Sequence, residues 1–312
     1  MSPLPELKLT RGRSILHFIE VQCGRRMETL QKEDRTKVDE ASDQSHDTEK
    51  VSSVWVSVYD KTGERAQHTQ WVIKEQPVTL VLNGRELVTL LCAGHHLDEL
   101  AAGFLHGEGF LQRPGDLTKL QVDQVTGKVE VEISNDASLA DKLWMKRTIT
   151  SGCGKGSLFY YVLDALRSKP VESALRITPE QVLGRVEDLN RLSETYRRTH
   201  GVHNTALATP REIILFRDDI GRHNAVDMIV GHSFLNSVTL GDKLLITTGR
   251  LTSEILIKAA KVGIPVLVSR NTATTLAIEL ALSLKITLIG YARAGKFTVY
   301  SGEERIVDVG GS

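Results

Sequence analysis

The sequence has few cysteines, few aromatic residues and no net charge. Its 312 residues include only Cys23, Cys92 and Cys153, which excludes a disulfide scaffold and a four-cysteine zinc site. Basic and acidic residues both number 39; this balance argues against general duplex-DNA binding and against a polybasic membrane anchor. No apolar run approaches the ~20 residues of a membrane-spanning helix. We therefore predict a soluble cytoplasmic protein that binds neither nucleic acid nor a membrane.

The length fits about two domains after a distinct N-terminal segment. Residues 28–50 include twelve charged side chains, eight of them acidic, and so few apolar ones that they cannot bury enough surface to offset their ordering entropy. We predict a flexible acidic tail or linker here; a partner-binding arm is the alternative. The predicted divisions are an N-terminal segment 1–50, a smaller α+β domain 51–150 and an α/β domain 151–312.

The predicted smaller domain alternates short strand patterns with turn signals. Asn83-Gly84 is a strong hairpin signal because both residues tolerate positive φ. A helix with one apolar face follows, beginning near Leu97. Strands are predicted at residues 54–59, 78–82, 86–91 and 128–133.

In the last third of the chain, predicted strands alternate with predicted helices. Apolar strand patterns at 243–248, 264–269 and 285–290 begin about 20 residues apart, with one helical pattern in each gap. Such alternation predicts right-handed crossovers and parallel strands. Because the strands are apolar on both faces, helices are expected to cover both sides of the sheet. The predicted fold class is α/β, with an α+β N-terminal part.

Three loops are predicted at one edge of this sheet. Each follows the carboxyl end of a strand, where open α/β sheets bind ligands, and two lead into helices whose N-termini suit an anion. The loops carry Arg250, Arg270, Arg293 and Lys296 beside glycines. A phosphate-bearing ligand fits them, and capped turns with surface arginines fit equally well.

Of the three cysteines, only Cys153 lies in a sequence context that favours a reactive thiol. Glycines flank it, Lys155 follows, and a helix is predicted over residues 158–167, so the helix dipole and the lysine both favour the thiolate. Cys92, within an apolar run, is predicted to be a core residue.

A dense polar stretch, residues 217–224, lies between a predicted strand at 212–216 and a predicted helix that ends near Leu235. His203, Asp219 and His223 fit a proton relay with Cys153, as in cysteine hydrolases. The alternative is structural: Asp219 caps the helix and the histidines satisfy buried backbone groups.

Taken together, several long motifs resemble the FdhD family, the formate dehydrogenase accessory sulfurtransferases. The resemblance covers about residues 70–307 and is strongest at Arg217-Asp218-Asp219-Ile220-Gly221-Arg222-His223-Asn224-Ala225-Val226-Asp227. Further matching segments are Asn83-Gly84, Asp98-Glu99-Leu100-Ala101-Ala102-Gly103-Phe104-Leu105, Gly152-Cys153-Gly154, Gly201-Val202-His203, Thr248-Gly249-Arg250, Gly263-Ile264-Pro265-Val266-Leu267-Val268-Ser269 and Gly302-Glu303-Glu304-Arg305-Ile306.

The resemblance implies a function. Family members take sulfur from a cysteine desulfurase as a cysteine persulfide and pass it to the bis-molybdopterin guanine dinucleotide cofactor of molybdenum or tungsten, before its insertion into formate dehydrogenase. It also implies a homodimer, a fold similar to cytidine deaminases without a structural metal, and Cys153 as the sulfur carrier. GDP is expected to mimic the nucleotide end of this bound substrate. The family's binding loop corresponds to Tyr291, Ala292, Arg293, Ala294, Gly295 and Lys296.

One departure from the family pattern keeps alternatives open. Many members carry C-G-x-C-G, whereas this chain has one cysteine in the loop, with Gly156 or Thr150 in the place of the other, depending on the alignment. A relay between two loop cysteines is therefore excluded. A cofactor chaperone without sulfur transfer is the first alternative, and a cysteine hydrolase that uses Cys153 with His203 or His223 is the second.

Overall fold

The computed structural model describes residues 50–134 and 169–307, and within them it forms a mixed α/β structure. None of the helices there is long and apolar enough to cross a membrane. Short 3-10 turns lie at Pro114–Asp116 and Glu303–Arg305. The helices are α1 (Leu97–Gly107), α2 (Pro179–Leu192), α3 (Glu194–Thr199), α4 (Arg222–Leu235), α5 (Ser253–Lys261) and α6 (Thr275–Ser283). The strands are β1 (Val51–Tyr59), β2 (Arg65–Ile73), β3 (Gln76–Leu82), β4 (Arg85–Cys92), β5 (Leu117–Asp123), β6 (Lys128–Ile133), β7 (His203–Ala208), β8 (Ile213–Asp219), β9 (Leu244–Thr247), β10 (Val266–Ser269), β11 (Thr287–Arg293) and β12 (Lys296–Ser301).

The larger sheet has six strands in the order β12-β11-β10-β9-β7-β8. β9, β10 and β11 run parallel, which confirms the arrangement predicted from the strand and helix spacing. β7 runs antiparallel to β9, and β8 antiparallel to β7. The start of β7 and the ends of β8, β9, β10 and β11 therefore meet along one edge, called here the carboxyl edge.

Helices cover both faces of this sheet. Buried residues of α4, α5 and α6 pack on one face, and those of α2 pack on the other. All residues of β9 and β10 are buried, as strands covered on both sides require. The α/β class is confirmed, in the form of an α/β/α arrangement.

The smaller sheet has the order β4-β3-β6-β5. The Asn83-Gly84 turn between β3 and β4 is confirmed, with φ of 48° and 77°. The helix predicted near Leu97 is α1, whose apolar residues pack against this sheet. Cys92 is fully buried, also as predicted, and burial with the nearby Asp219 charge raises the pKa of its thiol to about 12. Its thiol is therefore unreactive at neutral pH.

Close contact between α1 and α4 joins the two sheets. A Cβ atom on Gly103 of α1 would lie 1.8 Å from the carbonyl oxygen of Asp227, and one on Gly231 of α4 would lie 1.8 Å from the carbonyl oxygen of Glu99. Only glycine permits such an approach of two backbones. Met228 of α4 completes the contact by packing into the core of the smaller sheet.

The β1–β2 hairpin is fixed at its base. Lys50, the last residue of the predicted acidic segment, is buried, and its Nζ lies 3.1 Å from Oδ1 of Asp218 in β8. The rest of that segment lies outside the described residues. Arg198 of α3 covers the ring of Trp71, with Cζ 4.6 Å from the ring centroid. Because β2 is mostly polar, its sequence gave no strand signal.

We expect Gly231→Ala to destabilise the protein by about 2 kcal/mol or more, because the new methyl group forces α1 and α4 apart. Urea unfolding measures the difference. The matched control is Gly184→Ala in the middle of α2, where a Cβ would meet nothing within 4 Å; higher helix propensity should stabilise it by about 0.5–1 kcal/mol. Equal stability of Gly231→Ala and the wild type would contradict the glycine contact.

Candidate functional site at the carboxyl edge

The binding loop implied by the family resemblance is a tight hairpin. Tyr291 and Arg293 belong to β11, Lys296 begins β12, and Ala294 and Gly295 form the turn with φ of 51° and 72°. The segment is therefore a strand continuation with a two-residue turn, and not the open loop that the sequence indicated, because residues 296–301 pair with β11.

The hairpin presents an aromatic ring beside two cations. Tyr291 is half-exposed, and Arg293 lies over its ring with Cζ 5.7 Å from the centroid. Lys296 of β12 lies directly opposite Arg293 of β11 in the strand register, across the turn. Ala292 is buried, which fixes the strand while its neighbours stay accessible. A ring and two cations are what a base with attached phosphates requires.

A second group of functional side chains lies at the ends of β7, β8 and β9. We call it the arginine–histidine cluster: His203, Arg222, His223, Arg250 and Glu254. His203 begins β7, Arg222 and His223 begin α4, Arg250 follows β9, and Glu254 lies in the first turn of α5. Of these residues, Glu254 was not identified from the sequence, although its place just after Thr248-Gly249-Arg250 was a usable signal.

Arg222 is held against Gly249. A Cβ atom on Gly249 would lie 2.9 Å from Cβ of Arg222, so a glycine is needed for this contact. Burial and the neighbouring charge of Arg250 lower the pKa of Arg222, and Glu254 opposes the shift. An arginine stays protonated in proteins, so the two guanidinium groups remain charged side by side.

The two histidines of the cluster are held neutral. Burial, followed by the charges of Lys258 and Arg222, lowers the pKa of His223 to about 3. Its Nε2 lies 3.2 Å from Oε2 of Glu254, and the lowered pKa favours the neutral imidazole beside this carboxylate. Burial and the two arginines also lower the pKa of His203. The positive charge of the cluster therefore comes from its arginines.

Asp219 has a structural position. Its carboxylate accepts hydrogen bonds from the backbone N–H of Ala93 at 2.8 Å, from that of Gly221 at 2.8 Å, and from Nδ2 of Asn224 at 2.7 Å. It therefore braces the turn between β8 and α4, whereas the N-cap of α4 is Gly221. The expected capping role of Asp219 is therefore wrong, but these bonds favour a structural position for its carboxylate over a role in a histidine relay.

Buried charge pairs fix the end of β8. Asp218 accepts from Lys50 and lies 3.2 Å from Nε2 of His95. Burial alone would raise the pKa of Asp218, but His95 and Lys50 lower it well below its usual range. Arg217 forms a two-point ion pair with Glu99 of α1, at 2.5 and 2.6 Å. Paired buried charges of this kind orient the strand.

Of two further residues predicted for the site, the structure describes Arg270 but not Cys153. Arg270 donates a hydrogen bond at 2.7 Å to Oδ1 of Asn190 in α2, so one of its donors is engaged in the fold. Cys153 lies outside the described residues, as does the helix predicted over 158–167. Its role stays a prediction from the sequence.

The fold and the candidate site define an α/β protein with cationic side chains along one edge of its sheet, and comparison with known proteins specifies the family. A family model described as "FdhD/NarQ family" matches residues 73–307. A Bacillus subtilis (strain 168) protein named "Sulfur carrier protein FdhD" is 41% identical over 256 residues, 82% of this chain and 97% of that protein. A Staphylococcus aureus (strain MRSA252) protein of the same name is 39% identical over 246 residues, 79% and 93% of the two chains.

A solved structure agrees with these matches. The "crystal structure of a putative formate dehydrogenase accessory protein from Desulfotalea psychrophila" superposes with a TM-score of 0.68 at 26% identity, and covers 82% of this chain and 99% of that one. The chain belongs to the FdhD/NarQ family, as the resemblance of its motifs indicated.

The neutral state of His223 predicts that the stability of the fold depends on pH. Its pKa is lower in the folded than in the unfolded chain, so stability falls as pH drops below about 6.5, the unfolded value. Between about pH 7 and 5, we expect the free energy of unfolding to fall by on the order of 1–2 kcal/mol less in His223→Gln than in the wild type. Urea unfolding at both pH values measures it. An unchanged pH dependence would mean that Glu254 holds His223 protonated.

Proposed function

We propose that this protein is a sulfur carrier for the maturation of formate dehydrogenase. Family membership carries the proposal: relatives about 40% identical over most of the chain are named sulfur carrier proteins, and the structural relative is titled a formate dehydrogenase accessory protein. Formate dehydrogenase and a cysteine desulfurase are then the partners. The carrier acts as a sulfurtransferase in the cytoplasm, as a homodimer.

Cys153 is the proposed carrier. Its thiolate attacks the outer sulfur of a persulfide on the desulfurase; a sulfur–sulfur bond forms on Cys153, and the desulfurase cysteine leaves as a thiolate. No external oxidant is needed, because the sulfur atom moves at a constant oxidation state. Cys92 is excluded as the carrier by its burial and its raised pKa.

The bis-molybdopterin guanine dinucleotide cofactor is the proposed substrate to which the sulfur passes. The Tyr291–Lys296 hairpin supports this assignment, because it offers a half-exposed ring for a guanine base and exposed cations for the attached phosphates. Arg293 and Lys296 lie on opposite strands of the turn, so both can reach one nucleotide.

We expect Cys153→Ser to abolish sulfur loading. The wild type, incubated with a cysteine desulfurase and cysteine, should gain the mass of one sulfur atom on the peptide that contains Cys153. The control is Cys92→Ser, which should load normally. Full maturation of formate dehydrogenase by a Cys153→Ser variant that carries no sulfur would exclude the carrier role and leave a cofactor chaperone.

We expect Arg293→Ala to weaken GDP binding by about 1.5–3 kcal/mol for each charge-assisted hydrogen bond lost. Lys296→Ala should lose less, since a lysine offers a point charge without a fork. Both losses should shrink in high salt. Calorimetric titration with GDP, with guanosine as the phosphate-free control, measures them. GDP binding by Arg293→Ala at wild-type affinity would place the nucleotide elsewhere.

A further inference from the structure

We propose that the arginine–histidine cluster binds a diphosphate group, at a site separate from the Tyr291–Lys296 hairpin. The inference deepens the proposed function and rests on it for the natural ligand, because a bis-guanine-dinucleotide substrate carries two diphosphates. The ligand chemistry itself is argued from the cluster alone.

The first argument is an unsatisfied guanidinium. Nε of Arg222 is buried and has no hydrogen-bond partner among the described residues. A buried donor of this kind destabilises the protein unless it finds an acceptor. An oxyanion supplies that acceptor, and its charge also offsets the repulsion between Arg222 and Arg250 that lowers the pKa of Arg222.

The second argument is the position of two helix N-termini. α4 and α5 both begin at this edge, with N-caps Gly221 and Thr252, and neither cap gives a side-chain hydrogen bond to its helix. Oγ1 of Thr252 is itself buried without a partner in the described part of the chain. The first amides of both helices are therefore available to an anion, and both helix dipoles favour one.

The third argument concerns the charge of the ligand. Both histidines of the cluster are neutral at pH 7, because their pKa values are lowered. The positive groups of the cluster are then two arginines and two helix N-termini, and its one negative group is the carboxylate of Glu254. This excess of positive charge favours a multivalent oxyanion over a monoanion. A diphosphate has enough oxygen atoms to accept from both arginines and from Thr252.

The cluster and the hairpin are distinct sites. Arg250 follows β9, the hairpin extends β11, and β10 lies between them, so the two strand ends are about 10 Å apart at the usual strand spacing. Separate variants therefore report on each site.

Calorimetric titration of the full chain with inorganic pyrophosphate tests the proposal. We expect Arg222→Gln to weaken binding by about tenfold or more, the cost of one lost charge-assisted hydrogen bond. The matched control is Arg211→Gln; Arg211 is exposed in the turn between β7 and β8, at the opposite end of the sheet. That control should bind pyrophosphate like the wild type, and Arg293→Gln in the hairpin is the comparison variant for the other candidate phosphate site.

A second variant keeps the test valid if Arg222→Gln does not fold. Gly249→Ala retains every charge but moves Arg222, because its methyl group would lie 2.9 Å from Cβ of Arg222; it should also bind pyrophosphate more weakly. In the wild type, pyrophosphate should raise the pKa of His203, which NMR titration reads, because the anion neutralises the arginines that lower it.

Three results would overturn the site: no pyrophosphate binding by the wild type at millimolar concentration, wild-type affinity in Arg222→Gln, or a loss of affinity confined to Arg293→Gln. Orthophosphate and GDP are the comparison ligands. Equal affinity for orthophosphate would overturn the diphosphate assignment, whereas tighter binding of GDP that also depends on Arg222 would support a nucleotide source. Because no sulfur or formate dehydrogenase is present, these results are independent of the sulfur-carrier proposal.

Discussion

The contact between α1 and α4 is the constraint on which the rest of the structure depends. Gly103 and Gly231 let the two helices approach until their backbones touch, and this contact joins the smaller sheet to the α4 side of the larger one. The Glu99–Arg217 ion pair lies beside it and ties α1 to β8. Because α4 begins with Arg222 and His223, the same contact fixes the helix that carries two of the five residues of the arginine–histidine cluster.

The carboxyl edge concentrates positive charge in a chain that has none overall. Both sites draw their charge from arginine and lysine side chains placed at strand ends, whereas the histidines of the cluster are neutral and the acidic residues of β8 are engaged in structural bonds. A protein with a balanced composition can therefore still present a local cationic surface, which is what the proposed anionic substrate requires.

The sequence predicted the regular parts of the fold, whereas the binding role of the Tyr291–Lys296 hairpin stays a prediction from the family resemblance. The parallel strands, α1, the Asn83-Gly84 turn and the burial of Cys92 followed from periodicity and turn chemistry, which act locally. β2 was missed because it is mostly polar. The position of Arg222 against Gly249, and the pairing of His223 with Glu254, could not be predicted, since they depend on how α4 and α5 meet in three dimensions.

The most direct test of the account follows the sulfur atom itself. The chain, loaded with isotope-labelled sulfur by a cysteine desulfurase and then freed of that enzyme, is mixed with the bis-molybdopterin guanine dinucleotide cofactor, and the label on protein and cofactor is measured. The account predicts that the label leaves Cys153 and appears on the cofactor. Cofactor that binds while all of the label stays on the protein would contradict sulfur transfer and indicate a chaperone.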